Sequence, residues 1–188
     1  MALVTGSPSG IGGGTAELFA EEGAAVVVTG RNRERGAEVV ERISAAGGEA
    51  IFVPADVTDD AEVDALVEAA LAWKGRVDIL VNNAGTMIAA PFDDLTLDDW
   101  EHLVDLDARS AFSLMKQLMP AMEANGGGAV LNVTSLAAIQ PMSVHALYGF
   151  VKAGVRDITR SLGQDHPKRG GRDNPLLPGL AAPPIVND

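Results

Sequence analysis

Cysteine is missing from this sequence altogether. Its absence excludes disulfides, thiolate metal sites and a thiol nucleophile, and it fits a reducing compartment, so the expected location is cytoplasmic with no metal involved. Basic residues are few: 14 Lys and Arg stand against 26 Asp and Glu, a formal net charge of −12. So acidic a chain repels phosphate backbones and anionic lipids, which argues against nucleic acid and membrane surfaces as partners. Long apolar runs are lacking too, and none approaches the roughly 20 residues of a membrane span. The first residues, MALVTGSPSGIGGG, have no basic segment and soon break at glycine, so they do not read as a signal peptide.

What is present is an ordinary globular composition, 47% hydrophobic and 21% charged over 188 residues. A single domain of this size hides roughly 70% of its unfolded surface. Short apolar runs bounded by turn residues alternate with stretches of helical period, the mark of βαβ units on a parallel sheet. Strands are expected at Ala2 to Thr5, Ala25 to Thr29, Ala50 to Val53, Ile79 to Asn82 and Ala129 to Thr134. Helices are expected from Ile11 to before Gly23, from Arg33 to Ala46, and after Asp59 to about Trp73, with Asp59 and Glu62 as a capping pair. A long one extends from Thr96 to about Glu123 with a kink at Pro120, then another from His145 to Leu162. The fold class is therefore α/β with a doubly wound parallel sheet. Residues 166–188, rich in proline and glycine, read as an irregular tail after a domain of residues 1–165.

Four features carry chemistry. Thr5-Gly6-Ser7-Pro8-Ser9-Gly10-Ile11-Gly12 lies between a strand and a helix, where glycines let the backbone approach a pyrophosphate at the positive end of the helix. At the end of the second strand, Gly30 stands where an NAD site has an acid for the ribose 2′-hydroxyl, and Arg31 beside it suits a 2′-phosphate. Asn82-Asn83-Ala84-Gly85 closes the fourth strand, at the edge where open α/β sheets bind ligands. Ser135 ends the fifth strand, while Tyr148 and Lys152, four residues apart, share one face of the last helix. A free tyrosine titrates near pH 10, and a nearby ammonium favours its phenolate, which is how such a pair performs acid–base work.

Together these features resemble the short-chain dehydrogenase/reductase family. Its TGxxxGxG pattern fits Thr5 to Gly12, NNAG fits Asn82 to Gly85, and its serine with YxxxK fits Ser135, Tyr148 and Lys152. The resemblance implies a Rossmann-like fold and a cofactor site of Gly6, Ser9, Gly10, Ile11, Gly12, Arg31, Asp56, Val57, Asn83, Ala84, Gly85, Tyr148 and Lys152. It implies Tyr148 as general acid/base, Lys152 lowering its pKa and binding the nicotinamide ribose, and Ser135 orienting the substrate oxygen. Gly30 with Arg31 resembles the NADP-preferring members, with NAD the second choice.

Two departures are visible. Where the family carries a relay asparagine in its long fourth helix, the register places Asp107. The other departure is the tail: Arg172 to Gly179 resembles the family's sixth strand and its PG turn, but Gly171 and Asp173 sit where apolar strand residues belong and Pro175 removes a ladder donor. The chain ends at Asp188, where family members continue through a substrate-covering helix and a seventh strand. Two functions are expected: an oxidoreductase moving hydride between NADP(H), or NAD(H), and a small-molecule carbonyl or secondary alcohol, or a non-catalytic nucleotide-binding or assembly module of the same fold. A homo-oligomer, dimer or tetramer, is expected because Leu103, Leu106, Phe112, Leu114, Met115, Leu147 and Phe150 exceed what one buried face requires.

Overall fold

The computed structural model describes residues 1–165 and 171–179. Its strands are β1 (Ala2–Thr5), β2 (Ala25–Gly30), β3 (Glu49–Pro54), β4 (Ile79–Asn82), β5 (Gly128–Val133) and β6 (Gly171–Leu176). They form one parallel sheet in the order β3-β2-β1-β4-β5-β6. The order reverses between β1 and β4, the point where a doubly wound sheet opens a crevice beyond the carboxyl ends of its strands. The expected α/β architecture is the observed one.

Helices α1 (Gly10–Glu21), α2 (Arg33–Ala45), α3 (Asp60–Lys74), α4 (Leu97–Leu103), α5 (Ser110–Ala124) and α6 (Ala146–Asp165) cover the sheet. Successive strand side chains point to opposite faces. Leu3, Val27 and Leu80 pack with Val63 and Leu66 of α3 and Leu114 and Leu118 of α5. Val4, Val26, Val28 and Val81 pack on the other side with Ala16 and Ala20 of α1 and Val39 and Ile43 of α2. Burial on both faces is why these strands read as unbroken apolar runs. Each such Val or Leu contributes roughly 1.5–3 kcal/mol relative to an exposed one.

Helix ends obey local chemistry. Asn32 caps α2 by accepting from the Arg35 amide, and Gly47, at φ +84, turns the chain after α2. Thr96 and Asp99 form a reciprocal capping box on α4. Asp59 caps α3 by accepting from Ala61 and Glu62 amides. The Glu62 carboxylate does not return to Asp59 but accepts from the Asp56 amide at 2.7 Å.

Two expectations are corrected. The single helix expected from Thr96 to Glu123 is interrupted: a π-helical turn over Val104–Arg109 joins α4 to α5, and Asp107 in that turn is buried. The widened turn closes one more residue per hydrogen bond than an α-turn. Pro120 itself lies on the exposed side of α5, which runs on to Ala124. The irregular tail expected over 166–188 is corrected as well, because Gly171–Leu176 pairs in register with β5 from Gly128 to Val133. Among the described residues β6 lies at the sheet edge. An edge strand needs ladder bonds on one side only, so Pro175 is tolerated there. Residues 166–170 and 180–188 of that expected tail lie outside the described residues.

Candidate active site

The glycine turn leads from β1 into α1. Gly6 and Gly10 have φ of +59 and +56, which glycine alone adopts freely. Gly12 is required by space: a Cβ there would meet Asn83 Nδ2 at 2.4 Å and the Gly6 carbonyl at 2.6 Å. Ser9 is the N-cap of α1, yet no side chain caps the helix and no acid stands in its first turn. Helices α2, α3 and α4 are all capped by side chains. Uncapped amides at the positive end of a helix fit an anionic group such as a pyrophosphate.

Around the ends of β2 and β3, Arg31 is 74% exposed and its Nη1 lies 3.9 Å from Asp56 Oδ2. Asp56 Oδ1 accepts from the Thr58 amide at 3.0 Å and hydroxyl at 2.7 Å. Burial pulls the Asp56 carboxyl upward, but the Thr58 hydrogen bonds and the charges of Arg31 and His102 outweigh it, leaving its pKa below the ordinary value. Val57 is buried beneath this corner.

The turn after β4 is tied to the turn after β1. Thr5 Oγ1 accepts from the amides of Asn83 and Ala84, each at 2.9 Å. Asn83 Nδ2 donates to the carbonyls of Thr5 at 2.9 Å and Gly6 at 3.1 Å. These bonds close the base of the crevice. Thr5 was not among the expected site residues; the chemistry lies in its side chain, and only the fold places that hydroxyl under the second turn.

On the other flank of the crevice stand the acid–base candidates. Lys152 Nζ donates to the Val133 carbonyl at 3.1 Å. It lies 3.3 Å from Asp107 Oδ2 and 5.8 Å from the ring centre of Tyr148. Asp107 Oδ1 accepts from the Thr86 amide at 2.8 Å, while Oδ2 has no hydrogen-bond partner among the described residues. Burial is the largest influence on Asp107 and pushes its carboxyl above the ordinary value, against the pull of Lys152, the Thr86 amide and His102. Gly85 closes over the pair: a Cβ on it would lie 2.9 Å from Asp107 Oδ1 and 3.1 Å from Lys152 Nζ. Tyr148 is buried with Leu103, Ala137, Leu147 and Val151. Gly149 lets α6 approach the Ser135 turn, since a Cβ there would meet the Ala137 carbonyl at 3.1 Å. Ser135 Oγ accepts from the Ala137 amide at 3.1 Å, and no hydrogen bond among the described residues links it to Tyr148.

Every expected residue therefore lies at a carboxyl end of the sheet, in the first turn of α1, or on α6 and the π-helical turn. The contacts bring Gly6, Gly12, Asn83 and Ala84 into one cluster, Gly85, Asp107 and Lys152 into another, and Arg31 with Asp56 into a third. The Thr86 amide is a further functional group that no side-chain pattern announces.

The model of the short chain dehydrogenase family matches residues 1–188. The chain belongs to that family. This short-chain dehydrogenase is similar to the cis-4-hydroxycyclohexanecarboxylate dehydrogenase of Sinomonas cyclohexanicum, 38% identical over 99% of the chain and 75% of that protein. Among solved structures it is similar to L-sorbose reductase from Gluconobacter frateurii, complexed with NADPH and L-sorbose, at TM-score 0.91 and 36% identity, covering 95% of this chain and 68% of that one. A 7α-hydroxysteroid dehydrogenase complexed with NADH and 7-oxo glycochenodeoxycholic acid is as similar, at TM-score 0.91 and 37% identity, covering 95% and 69%. Relatives at this level thus include both an NADPH and an NADH complex. Among the described residues no helix is long and apolar enough to cross a membrane.

Proposed function

We propose that this short-chain dehydrogenase is an NADP(H)-dependent oxidoreductase acting on a small carbonyl or secondary alcohol. One observation carries the reaction class: Lys152, held by the Val133 carbonyl, sets its ammonium 5.8 Å from the ring of Tyr148, the acid–base candidate at the mouth of the crevice. When bound, the nicotinamide accepts or supplies the hydride. Tyr148 takes the proton from the alcohol or returns it to the carbonyl oxygen, and Lys152 stabilises the phenolate form that oxidation requires. Ser135 orients the reacting oxygen. The uncapped amides of Gly10, Ile11 and Gly12, with Ser9 at the entry, would hold the pyrophosphate, and Asp56 and Val57 would flank the adenine end. Asn83, Ala84 and Gly85 line the floor.

Support for NADP(H) over NAD(H) comes from Arg31, an exposed guanidinium 3.9 Å from Asp56, beside Gly30, which brings no carboxylate. A guanidinium meets a phosphate dianion with charge-assisted hydrogen bonds. Titrating NADPH and NADH into wild type and Arg31→Ala tests it: the expected result is a loss of preference in the variant. Equal affinities in both proteins would return Arg31 to the role of a surface charge.

A second reading, a nucleotide-binding module that does not turn over, is favoured by Asp107, whose carboxylate competes for Lys152. Turnover on a broad panel of ketones and secondary alcohols separates the two, since the module binds cofactor and oxidises nothing. Assembly into a homo-oligomer and a cytoplasmic location belong to the same proposal.

A further inference from the structure

The turn between β1 and α1 is fastened to β2 at one residue. Ser7 is fully buried. Its amide donates to the Thr29 carbonyl at 3.2 Å, its Oγ accepts from the Thr29 amide at 2.9 Å, and its hydroxyl donates to the Val4 carbonyl at 2.6 Å. The residue after Ser7 is Pro8 and the residue after Thr29 is Gly30, so these bonds press one onto the other. A Cβ built on Gly30 would lie 2.8 Å from both Cδ and Cγ of Pro8. Gly30 is not among the glycines with positive φ, so its backbone accepts any residue. Space alone excludes a side chain. A proline ring cannot swing aside as a flexible chain does, because its φ is locked.

We infer that Pro8 is a specificity-determining residue: it closes position 30 to any side chain, so that the end of β2 offers the adenosine ribose a guanidinium and no carboxylate. This rests on the proposed NADP(H) preference and adds a cause to it. A ribose 2′-hydroxyl is held by an acid at the end of β2, a 2′-phosphate by a nearby arginine. With Pro8 in place the first option has no room. The carboxylate next along the edge, Asp56, is already engaged by Thr58 through amide and hydroxyl. Arg31 is thereby left as the group facing the 2′ position.

The steric claim predicts that an acid at position 30 works only when Pro8 is removed. Pro8→Ala deletes both Cγ and Cδ, the two atoms in the way. Wild type, Pro8→Ala, Gly30→Asp and the double variant are compared by calorimetric titration with NADH and NADPH and by melting temperature. Gly30→Asp alone is expected to melt lower and to bind neither cofactor better. Pro8→Ala brings in no acceptor and does not tighten NADH. The double variant is expected to recover the melting temperature and bind NADH at least tenfold more tightly than Gly30→Asp does, a coupling that separate effects do not produce. If Gly30→Asp folds like wild type and gains NADH affinity as fully as the double variant, the inference is overturned. A double variant that fails to fold where Pro8→Ala folds, or NADH affinity equal in all folded variants, overturns it too. Equal NADH and NADPH affinity in wild type would remove the Arg31 reading by itself, while the comparison of single and double variants still decides the role of Pro8.

Discussion

Lys152 holds its ammonium 3.3 Å from Asp107 Oδ2, with side-chain exposures of 6% and 0%. At an effective dielectric near 20, two charges at that separation attract by about 5 kcal/mol. Taking each out of water costs several kcal/mol, so the pair does not come free. For Asp107 the burial cost prevails: its carboxyl lies above the ordinary carboxylate value despite the ammonium beside it. An acid buried at this cost beside the acid–base candidates makes Asp107 the most informative position to change.

The Asp107→Asn variant tests this through pH. Well below pH 4 the group is protonated in folded and unfolded chains alike and contributes nothing. As pH rises, the unfolded chain loses its proton first, the native state then binds more protons, and stability falls until the native carboxyl is also ionised. Wild-type stability relative to Asp107→Asn should therefore decline as pH rises above 4 and then level off. Urea unfolding of both proteins over a pH series measures it, and a difference that grows with pH in favour of wild type would refute the raised carboxyl. In turnover the substitution leaves the ammonium of Lys152 unopposed beside Tyr148, so alcohol oxidation should set in at lower pH. Superimposed pH–rate curves would detach Asp107 from the chemistry.

Gly85→Ala adds a methyl group 2.9 Å from Asp107 Oδ1 and 3.1 Å from Lys152 Nζ. Neither partner has room to retreat, since both are buried. A loss of roughly 1–3 kcal/mol is expected from such overpacking, along with a fall in kcat larger than any change in KM. Thermal unfolding and steady-state kinetics report the two effects. A variant with wild-type values would mean that the turn moves freely away from the pair.

How far the sequence reveals this arrangement depends on how local each cause is. β1, β2 and β4 are legible because Leu3, Val4, Val26, Val27, Leu80 and Val81 are all apolar when both faces are covered. The Thr96 and Asp99 box is legible because it closes within one turn. The π-helical turn is not: Val104–Arg109 contains no glycine or proline, and its inward residue is held by Lys152 of α6 and the Thr86 amide. β6 is half legible: the segment resembles the family's sixth strand, but Gly171, Asp173 and Pro175 all disfavour a strand, and pairing with β5 overrides them. In the site, the motifs announce which residues matter, but the Thr5 bonds to Asn83 and Ala84 span the sheet and appear only in the fold.

Val144 has φ +57, the one described non-glycine residue with a positive value. Left-handed backbone costs an ordinary residue roughly 1–2 kcal/mol, and a β-branched one is especially ill suited. The carbonyl of Val144 accepts from the Ala90 amide at 2.9 Å, which holds the turn four residues before Tyr148. Asparagine tolerates this conformation, and the side chain of Val144 is 42% exposed, so little packing is lost. Val144→Asn should raise stability by about 1 kcal/mol, read as a higher urea midpoint at unchanged slope. A lower midpoint would mean that the valine side chain contributes more than its backbone costs.

Self-association would use the surface of α4, α5 and α6. Of the residues that first pointed to it, Leu103, Leu114, Met115 and Leu147 are consumed by the core of this chain, while Phe112 and Phe150 remain 49% and 58% exposed. Trp100, 43% exposed, joins them: its ring stacks on that of Phe150 with centres 5.1 Å apart. Beside them Val104, Val155 and Ile158, with Phe112 itself, line an apolar groove. Three exposed aromatics next to such a groove are the composition of an interface rather than of a solvated face. In a two-fold pairing each residue acts twice, so Phe150→Glu would bury an unpaired carboxylate at two places in the interface. Wild type should scatter light as a dimer or larger at micromolar concentration, and Phe150→Glu should scatter as a monomer with an unchanged far-UV circular dichroism spectrum. A monomeric wild type, or a variant that stays assembled, would assign these aromatics to some other contact.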